Sequence, residues 1–175
     1  RQIDLKIPGE HNFCNAVMAA KVAEALDCPK EIIGETAVNF TGLEHRLEFV
    51  REIMVRQAHH KVVRRAHHKN KSAIYFYNDS ASTNPQTTMA AIQSFKEPII
   101  LIVGGHDKGL DYLPLGKIIR KTPVELVILF GENKNKIKES LKRLPAILCD
   151  DLKSAIKTAI EKASLVNNSK LIILF

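Results

Sequence analysis

The sequence has no tryptophan and only three cysteines, and none of its apolar runs is long enough to cross a membrane. The cysteines, Cys14, Cys28 and Cys149, are odd in number, lie far apart and lack the spacing of metal ligands. No secretory signal peptide opens the chain. We therefore expect free thiols, a reducing cytoplasmic compartment and no membrane contact.

Several motifs of common enzyme classes are missing as well. The chain contains neither of the phosphate-binding loops GxxxxGKS/T and GxGxxG, and no Ser-His-Asp or Cys-His arrangement stands at a credible location. We therefore predict no catalytic residue and no metal site within this chain. Its 175 residues can bury one full core with a small second unit.

The net charge of +7 comes almost entirely from one segment, 54–71, which contains no acid. Its six positive residues account for all but one of that charge; they are Arg56, Lys61, Arg64, Arg65, Lys69 and Lys71. The segment repeats an eight-residue unit, MVRQAHHK and then VVRRAHHK. Adjacent histidines without an acidic or thiol co-ligand rarely bind one metal ion. An exposed, duplicated loop insertion is therefore favoured over a metal site or a nucleic-acid-binding arm.

The first forty residues have a helical pattern. Segments 10–26 and 30–40 predict two helices, preceded by a short alternating edge strand, Ile3–Ile7. Gly42 then breaks the pattern, and strand-like alternation begins at Leu47. We therefore place a domain boundary here.

Polar residues occur at both ends of this helical part. Asn12 and Asn15 are three apart and share one face of the first helix, a spacing that by itself favours capping and solvation over ligand binding. His45 and Arg46 would point to opposite faces of a strand, so that one could face a nucleotide while the other supports it. Such a pair alone is usually a surface feature.

From Ala73 onward, strands alternate with helices. Strands are predicted at 73–76, 98–103, 124–130, 146–149 and 171–175, and helices at 87–95, 113–121, 134–144 and 152–163. The run Ile99–Val103 is typical of a strand that is buried on both faces. We predict an α/β fold, a Rossmann-like, doubly wound parallel sheet with helices on both faces.

Two of the predicted strand ends collect polar groups. The first is the turn 77–85, YNDSASTNP, in which Asn84 or Thr83 can cap the next helix and Pro85 suits its first turn. Its carboxylate, hydroxyls and free N–H groups suit phosphate, ribose or a polar substrate, because ligands of α/β sheets bind at this end of the strands.

The second polar strand end is the turn 104–109, GGHDKG. Gly104 and Gly105 let backbone N–H groups approach a ligand, and Lys108 could hold a carboxylate or a phosphate as a point charge. A flexible turn with a solvated lysine explains the same spacing equally well.

Four motifs resemble those of the Mur ligases and stand in the order of that family. They are GEHNFCNA at 9–16, GLEHRLE at 42–48, YNDSASTNP at 77–85 and GGHDKGLD at 104–111. The resemblance covers nearly the whole chain apart from the insertion at 54–71. It implies that 1–43 is the end of a central ATP-binding domain and that 44–175 is a C-terminal, amino-acid-binding domain.

The resemblance also implies an activity. The NDSxxTNP form favours the branch of the family that adds D-glutamate to UDP-N-acetylmuramoyl-L-alanine. The implied reaction is ATP-dependent ligation through an acyl phosphate, in cytoplasmic peptidoglycan precursor synthesis. A monomer that uses ATP and magnesium, and that binds neither membrane nor nucleic acid, is expected.

Seven residues match the binding positions of the family. By the resemblance, Asn12 and Asn15 approach the adenine, and Arg46 with His45 reaches the nucleotide across the interdomain cleft. Asp79 contacts the ribose. Thr83, in the turn 77–85, and Lys108, in the turn 104–109, position D-glutamate, whose two carboxylates need a charge-assisted partner.

The chain also departs from the family pattern. Ala81 stands where the family usually has a lysine, although other Mur ligases carry alanine there. The Walker-type loop, the magnesium ligands and a modified lysine would lie upstream of Arg1, and a loop with serine and phenylalanine would follow Phe175. We therefore expect a C-terminal fragment that is inactive by itself.

Other interpretations of the sequence stay open at this point. The chain could belong to another Mur ligase or to a folylpolyglutamate synthase type of amino-acid ligase. It could also be a non-catalytic nucleotide- or nucleic-acid-binding module with a basic arm. A degenerate remnant is the last alternative, for which Ala81 is the only sign.

Overall fold

The computed structural model describes residues 5–56, 71–166 and 170–175. The strands are β1 (Glu48–Arg56), β2 (Lys71–Asn78), β3 (Ile99–Gly105), β4 (Val124–Gly131), β5 (Ala146–Leu148) and β6 (Lys170–Leu174). The helices are α1 (Glu10–Ala25), α2 (Lys30–Asn39), α3 (Pro85–Gln93), α4 (Leu113–Ile119), α5 (Lys134–Leu141) and α6 (Leu152–Ala163).

One six-stranded sheet carries the fold, in the order β1-β2-β6-β3-β4-β5. Helices α3, α4 and α5 pack on one face of the sheet, and α6 packs on the other. The connections from β2 to β5 run in one direction with their helices on one face, and the return to β6 uses the opposite face. The predicted α/β class with helices on both faces is confirmed.

The sheet is mostly, not wholly, parallel. β2, β6, β3, β4 and β5 pair in parallel, whereas β1 runs antiparallel to β2. β1 and β2 are consecutive in the chain, and antiparallel neighbours need no crossover between them. The prediction of a loop over 54–71 is wrong at both ends, because Met54 to Arg56 belong to β1 and Lys71 belongs to β2. Residues 57–70 lie outside the described residues.

The central strands contain continuous apolar runs because both of their faces are covered there. Ile99, Ile100, Leu101 and Ile102 of β3 are all buried, alternating between the two core layers. β6 shows the same pattern from Leu171 to Leu174. This explains why continuous apolar runs, not alternating ones, identified the strands of the sheet centre.

The predicted edge strand at Ile3–Ile7 is wrong in its described part. Leu5 to Ile7 form no strand, and both residues line a groove beside α1 and α2 instead. The segment does not extend the sheet, whose edges are β1 and β5. Helices α1 and α2 were predicted correctly, and neither contains a buried residue.

Gly116 marks the closest approach of two helices. A Cβ atom at this position of α4 would lie 2.2 Å from the carbonyl oxygen of Ser140 in α5. We expect Gly116→Ala to lower the free energy of unfolding by about 1–3 kcal/mol, because main chain must move to admit the methyl group. Gly34→Ala in α2 is the matched control, since nothing lies within 4 Å of its Cβ position. It should stabilise the helix by no more than about 1 kcal/mol. Urea unfolding compares the two variants, and equal shifts would contradict the close contact.

An ion pair between Glu97 and Lys170 predicts a pH dependence of stability. Their charged atoms are 2.6 Å apart. The hydrogen bond from Lys170 is the main reason that the pKa of Glu97 lies below its ordinary value, and the same bond raises the pKa of Lys170. The stabilisation is therefore complete between the ordinary pKa values of the two groups. It is lost as pH falls through the lowered pKa of Glu97 or rises through the raised pKa of Lys170.

The variant Glu97→Gln tests this dependence. At neutral pH we expect it to be less stable than the wild type by up to about 1 kcal/mol, a modest value because both side chains are partly exposed. The difference should vanish in acid. Glu161→Gln is the control, because its carboxylate forms no ion pair within the described residues. A Glu97→Gln difference that persists after acidification would rule out the ion pair as its cause.

Candidate functional site

The turn after β2 is organised around the buried carboxylate of Asp79. Its Oδ1 accepts a hydrogen bond from the backbone N–H of Leu47 at 2.9 Å, and its Oδ2 accepts one from the hydroxyl of Ser82. The backbone N–H of Asp79 donates to the carbonyl of Phe175 at 2.5 Å. One residue therefore holds together the segment before β1, the turn after β2 and the end of β6.

The segment 43–47, which we name the linker turn, joins α2 to β1. His45 and Leu47 have φ angles of 61° and 46°, a left-handed conformation that is uncommon outside glycine. The carbonyl of His45 accepts a hydrogen bond from the N–H of Ala81 at 2.9 Å. Together with the bond from Leu47 to Asp79, this contact stabilises the unusual backbone.

A polar network fixes the exposed side chain of His45 beside β1 and β2. One carboxylate oxygen of Glu48 accepts hydrogen bonds from the backbone N–H of His45 at 2.9 Å and from the amide of Asn78 at 3.3 Å. The amide nitrogen of Asn78 lies 2.8 Å from Nδ1 of His45. The imidazole is therefore engaged with its own turn, next to Arg46.

Three of the predicted nucleotide-binding residues share one groove. The groove has a volume of about 790 Å³ and lies between α1, α2 and the linker turn. Asn12, Asn15 and Arg46 line it, together with Ala81 from the turn after β2 and a wall of small apolar residues from α1 and α2. Asn12 donates to the carbonyl of Pro8 at 2.6 Å. Its side chain therefore shapes the start of α1 and still faces the groove.

His11 also stands close to this part of the molecule, although the sequence did not single it out. Burial is the main cause that lowers its pKa, the positive charge of Arg46 lowers it further, and the carboxylate of Asp79 opposes the shift. The imidazole is thus kept neutral over a wider pH range than usual. It lies in the same electrostatic environment as the predicted ligand residues.

The start of α3 places Thr83 at the surface. The side chain of Asn84 accepts a hydrogen bond from the N–H of Thr87 at 2.9 Å, and Pro85 occupies the first helical turn. The predicted Asn84 cap is confirmed. Thr83 is exposed directly before this cap, so its hydroxyl is available to a ligand.

Lys108 lies in the segment 105–112, which runs from the last residue of β3 to the residue before α4 and which we name the lysine loop. The two residues before it have partners. Nδ1 of His106 lies 2.7 Å from Oε2 of Glu132, and the carboxylate of Asp107 pairs with the ammonium group of Lys136. The hydrogen bond from Lys136 is the main reason that the pKa of Asp107 is lowered. Lys108 itself is exposed and has no acidic partner among the described residues.

The two predicted substrate residues lie at the same end of the sheet, where the parallel strands have their carboxyl ends. Thr83 follows β2 and Lys108 follows β3, and β6 separates these strands. Two strand spacings amount to roughly 10 Å. No described hydrogen bond or ion pair joins the lysine loop to the turn after β2. The structure therefore brings Asn12, Asn15 and Arg46 into one groove and leaves Lys108 in a second loop on the same side.

Two properties of the described part of the chain bear on ligands and surroundings. Across residues 5–56, 71–166 and 170–175, no group of three His, Cys, Asp or Glu side chains is arranged to hold a metal ion. Within the same ranges, none of the helices has the length and apolar character needed to span a membrane.

Comparison with known proteins identifies the family. Residues 64–174 match the family described as Mur ligase, glutamate ligase domain, which is well over half of the chain. The chain belongs to this family. The resemblance inferred from the four sequence motifs is confirmed.

Similar curated proteins carry one name. The UDP-N-acetylmuramoylalanine–D-glutamate ligase of Caldicellulosiruptor saccharolyticus is 36% identical over 166 residues, which are 93% of this chain and 32% of the relative. The ligase of that name from Aquifex aeolicus is 37% identical and covers 94% of this chain and 35% of the relative. The chain thus spans about a third of the length of the curated relatives it matches.

Solved structures share the fold. MurF from Acinetobacter baumannii superimposes with a TM-score of 0.65 at 21% identity, over 95% of this chain and 34% of that protein. A pseudomurein peptide ligase type C from Methanothermus fervidus gives a TM-score of 0.60 at 18% identity, over 98% of this chain and 34% of that protein. At this level of identity the likeness concerns the fold alone.

Asp79 is predicted to be essential for the geometry of the turn. We expect Asp79→Ala to lower the free energy of unfolding by about 1–3 kcal/mol, because it leaves the buried N–H of Leu47 without an acceptor. Asp111→Ala is the control, since Asp111 accepts a comparable backbone hydrogen bond from Leu113 at an exposed position. It should cost less than Asp79→Ala. Chemical denaturation measures both, and equal losses would show that burial of the Asp79 carboxylate is unimportant.

Proposed function

We propose that this chain is the C-terminal part of an ATP-dependent ligase that joins D-glutamate to UDP-N-acetylmuramoyl-L-alanine. The proposal includes an acyl phosphate intermediate, a cytoplasmic location and a role in peptidoglycan precursor synthesis. The observation that carries it is the similarity, over more than nine tenths of the chain, to proteins named UDP-N-acetylmuramoylalanine–D-glutamate ligase. The arrangement of the candidate site supports it.

The groove residues suit ATP. Small apolar side chains such as Ala16 and Ala20 line its walls and can accept a flat base, and the amides of Asn12 and Asn15 supply hydrogen bonds to its edge. Arg46 at the linker end supplies a positive charge for phosphate, and its guanidinium matches phosphate geometry. The chemistry that bound ATP would supply is activation of the substrate carboxylate as an acyl phosphate.

Asp79 has a different status from the other residues proposed to bind ATP. Both of its carboxylate oxygens already accept hydrogen bonds within the chain. A contact with the ribose would use a remaining lone pair, since each carboxylate oxygen can accept more than one bond. We propose that it acts mainly by holding the linker turn, and thereby Arg46, in place.

Lys108 and Thr83 suit an amino-acid dicarboxylate. An ammonium group without an acidic partner is ready to bind a carboxylate, because no internal ion pair must first be broken. The hydroxyl of Thr83 can donate to the same ligand from the turn after β2, at the same end of the sheet. These groups orient the amino acid, and orientation is the contribution that binding residues make to a ligation. The magnesium ligands are proposed to lie outside this chain.

The test is ADP release by the full-length protein from the same gene. It receives UDP-N-acetylmuramoyl-L-alanine, ATP and magnesium, with D-glutamate compared with L-glutamate, L-lysine and meso-diaminopimelate. We expect release that depends on D-glutamate. Release with another amino acid would retain the ligase and replace the substrate, and no release with any of them would overturn the proposed activity.

Two variants should affect the KM values of different substrates. Lys108→Ala should raise the KM for D-glutamate by roughly tenfold or more, the scale of a lost charge-assisted hydrogen bond, with little change in the KM for ATP. Arg46→Ala should do the opposite, because Arg46 lines the groove and Lys108 does not. Each variant is the control of the other, and steady-state kinetics with one substrate varied at a time measures both. A rise in the same KM in both variants would contradict two separate subsites.

A further inference from the structure

The lysine loop is fastened along its length to the segment that follows β4. Its first half is connected to Glu132 by a contact with His106 and to Lys136 by the ion pair of Asp107, and the N–H of Asp107 donates to Glu132 at 3.3 Å. At the base of the loop, the carbonyl of Gly105 accepts hydrogen bonds from the N–H groups of residues 132 and 133. These ion pairs are exposed, and exposed pairs contribute little by themselves.

The second half of the loop is held by a buried hydrogen bond between two side chains. Tyr112, its last residue, is 8% exposed, and Asn133, directly before α5, is 6% exposed. The amide nitrogen of Asn133 donates to the hydroxyl of Tyr112 at 2.9 Å. A buried hydrogen bond between side chains is costly to break because both groups are then left without a partner and without water.

Asn133 is also an unusual residue for its position. It precedes the first turn of α5 but does not cap the helix with its side chain, although asparagine is among the best capping residues. Its Oδ1 is buried with no hydrogen-bond partner among the described residues. The side chain is therefore turned away from its local role, towards the loop that carries Lys108.

We propose that Asn133 is a positioning residue for Lys108, which acts through its hydrogen bond with Tyr112. The inference rests on the proposed function in that it assigns Lys108 to the amino-acid acceptor. Lys108 is the exposed, unpaired member of a loop whose flanking residues are held on both sides. The tie at Tyr112 fixes where the loop re-enters the fold and so fixes the position of the ammonium group.

The first test is a kinetic comparison in the full-length protein. Tyr112→Phe keeps the ring and removes the hydroxyl, and we expect the KM for D-glutamate to rise roughly tenfold, the scale of one buried hydrogen bond. The KM for ATP should change less than twofold. Asn133→Leu should have the same effect. Asn133→Asp should raise this KM less than Asn133→Leu does, because the phenol can donate to a carboxylate.

Two controls separate positioning from general destabilisation. Tyr75→Phe also removes a hydroxyl that is hydrogen-bonded, to Glu52 at 3.2 Å, but in the middle of β2, and it should leave both KM values unchanged. The double variant Tyr112→Phe/Asn133→Leu should raise the KM for D-glutamate no more than either single variant, because both act through one bond. Independent, multiplying effects would overturn the proposal, as would equal rises in the two KM values.

The second test does not depend on the substrate. Hydrogen exchange followed by mass spectrometry should show faster exchange at 105–112 in Tyr112→Phe than in the wild type, with 99–103 of β3 unchanged. Unaltered exchange in the lysine loop would overturn the inference whatever the enzyme ligates. If wild-type ADP release does not depend on D-glutamate, the proposed function fails. Faster loop exchange would in that case still support the tie between Asn133 and the lysine loop.

Discussion

The buried carboxylate of Asp79 is the contact on which the candidate site depends. The carboxylate accepts hydrogen bonds from the backbone of the linker turn and from the hydroxyl of Ser82. The backbone N–H of the same residue donates to the carbonyl of Phe175 at the end of β6. These three segments are far apart in sequence, and their meeting places Arg46 beside α1 and next to the sheet edge. The left-handed backbone of the linker turn is tolerated because these bonds compensate for its strain. The linker turn and the turn after β2 are thus held together by one buried acid.

The fold could be predicted because its strongest signals are local. Runs such as Ile99–Ile102 must be buried on both faces, and the spacing of strands and helices leaves few topologies. The direction of β1 could not be predicted in this way, since direction depends on the partner and on the connection, which here contains the basic repeat. Leu5 and Ile7 illustrate the same limit, because an alternating pattern forms a strand only where a neighbour offers hydrogen bonds.

The sequence motifs indicated residues that the structure partly brings together, but not the contacts that hold them in place. The motifs that resemble the family contain Asn12, Arg46, Asp79 and Lys108, and the structure places the first two in one groove. The supporting residues were not singled out. Glu48 and Asn78 lie within two of these motifs but had no predicted role. Tyr112 and Asn133 lie outside the motifs, 21 residues apart, with nothing in the spacing to relate them. Contacts of this kind are decided by the packing of loops on the finished sheet.

The position of β6 has a consequence for how the molecule is made. The sixth strand in sequence lies between the second and the third, so β1 and β2 cannot join β3, β4 and β5 in the native order until residues 170–174 have been synthesised. Before then, the edges of β2 and β3 that face β6 have no native partner. Such edges are prone to aggregation. The strand that ends beside Asp79 therefore supplies the missing partner of both β2 and β3, and the carbonyl of Phe175 that Asp79 contacts.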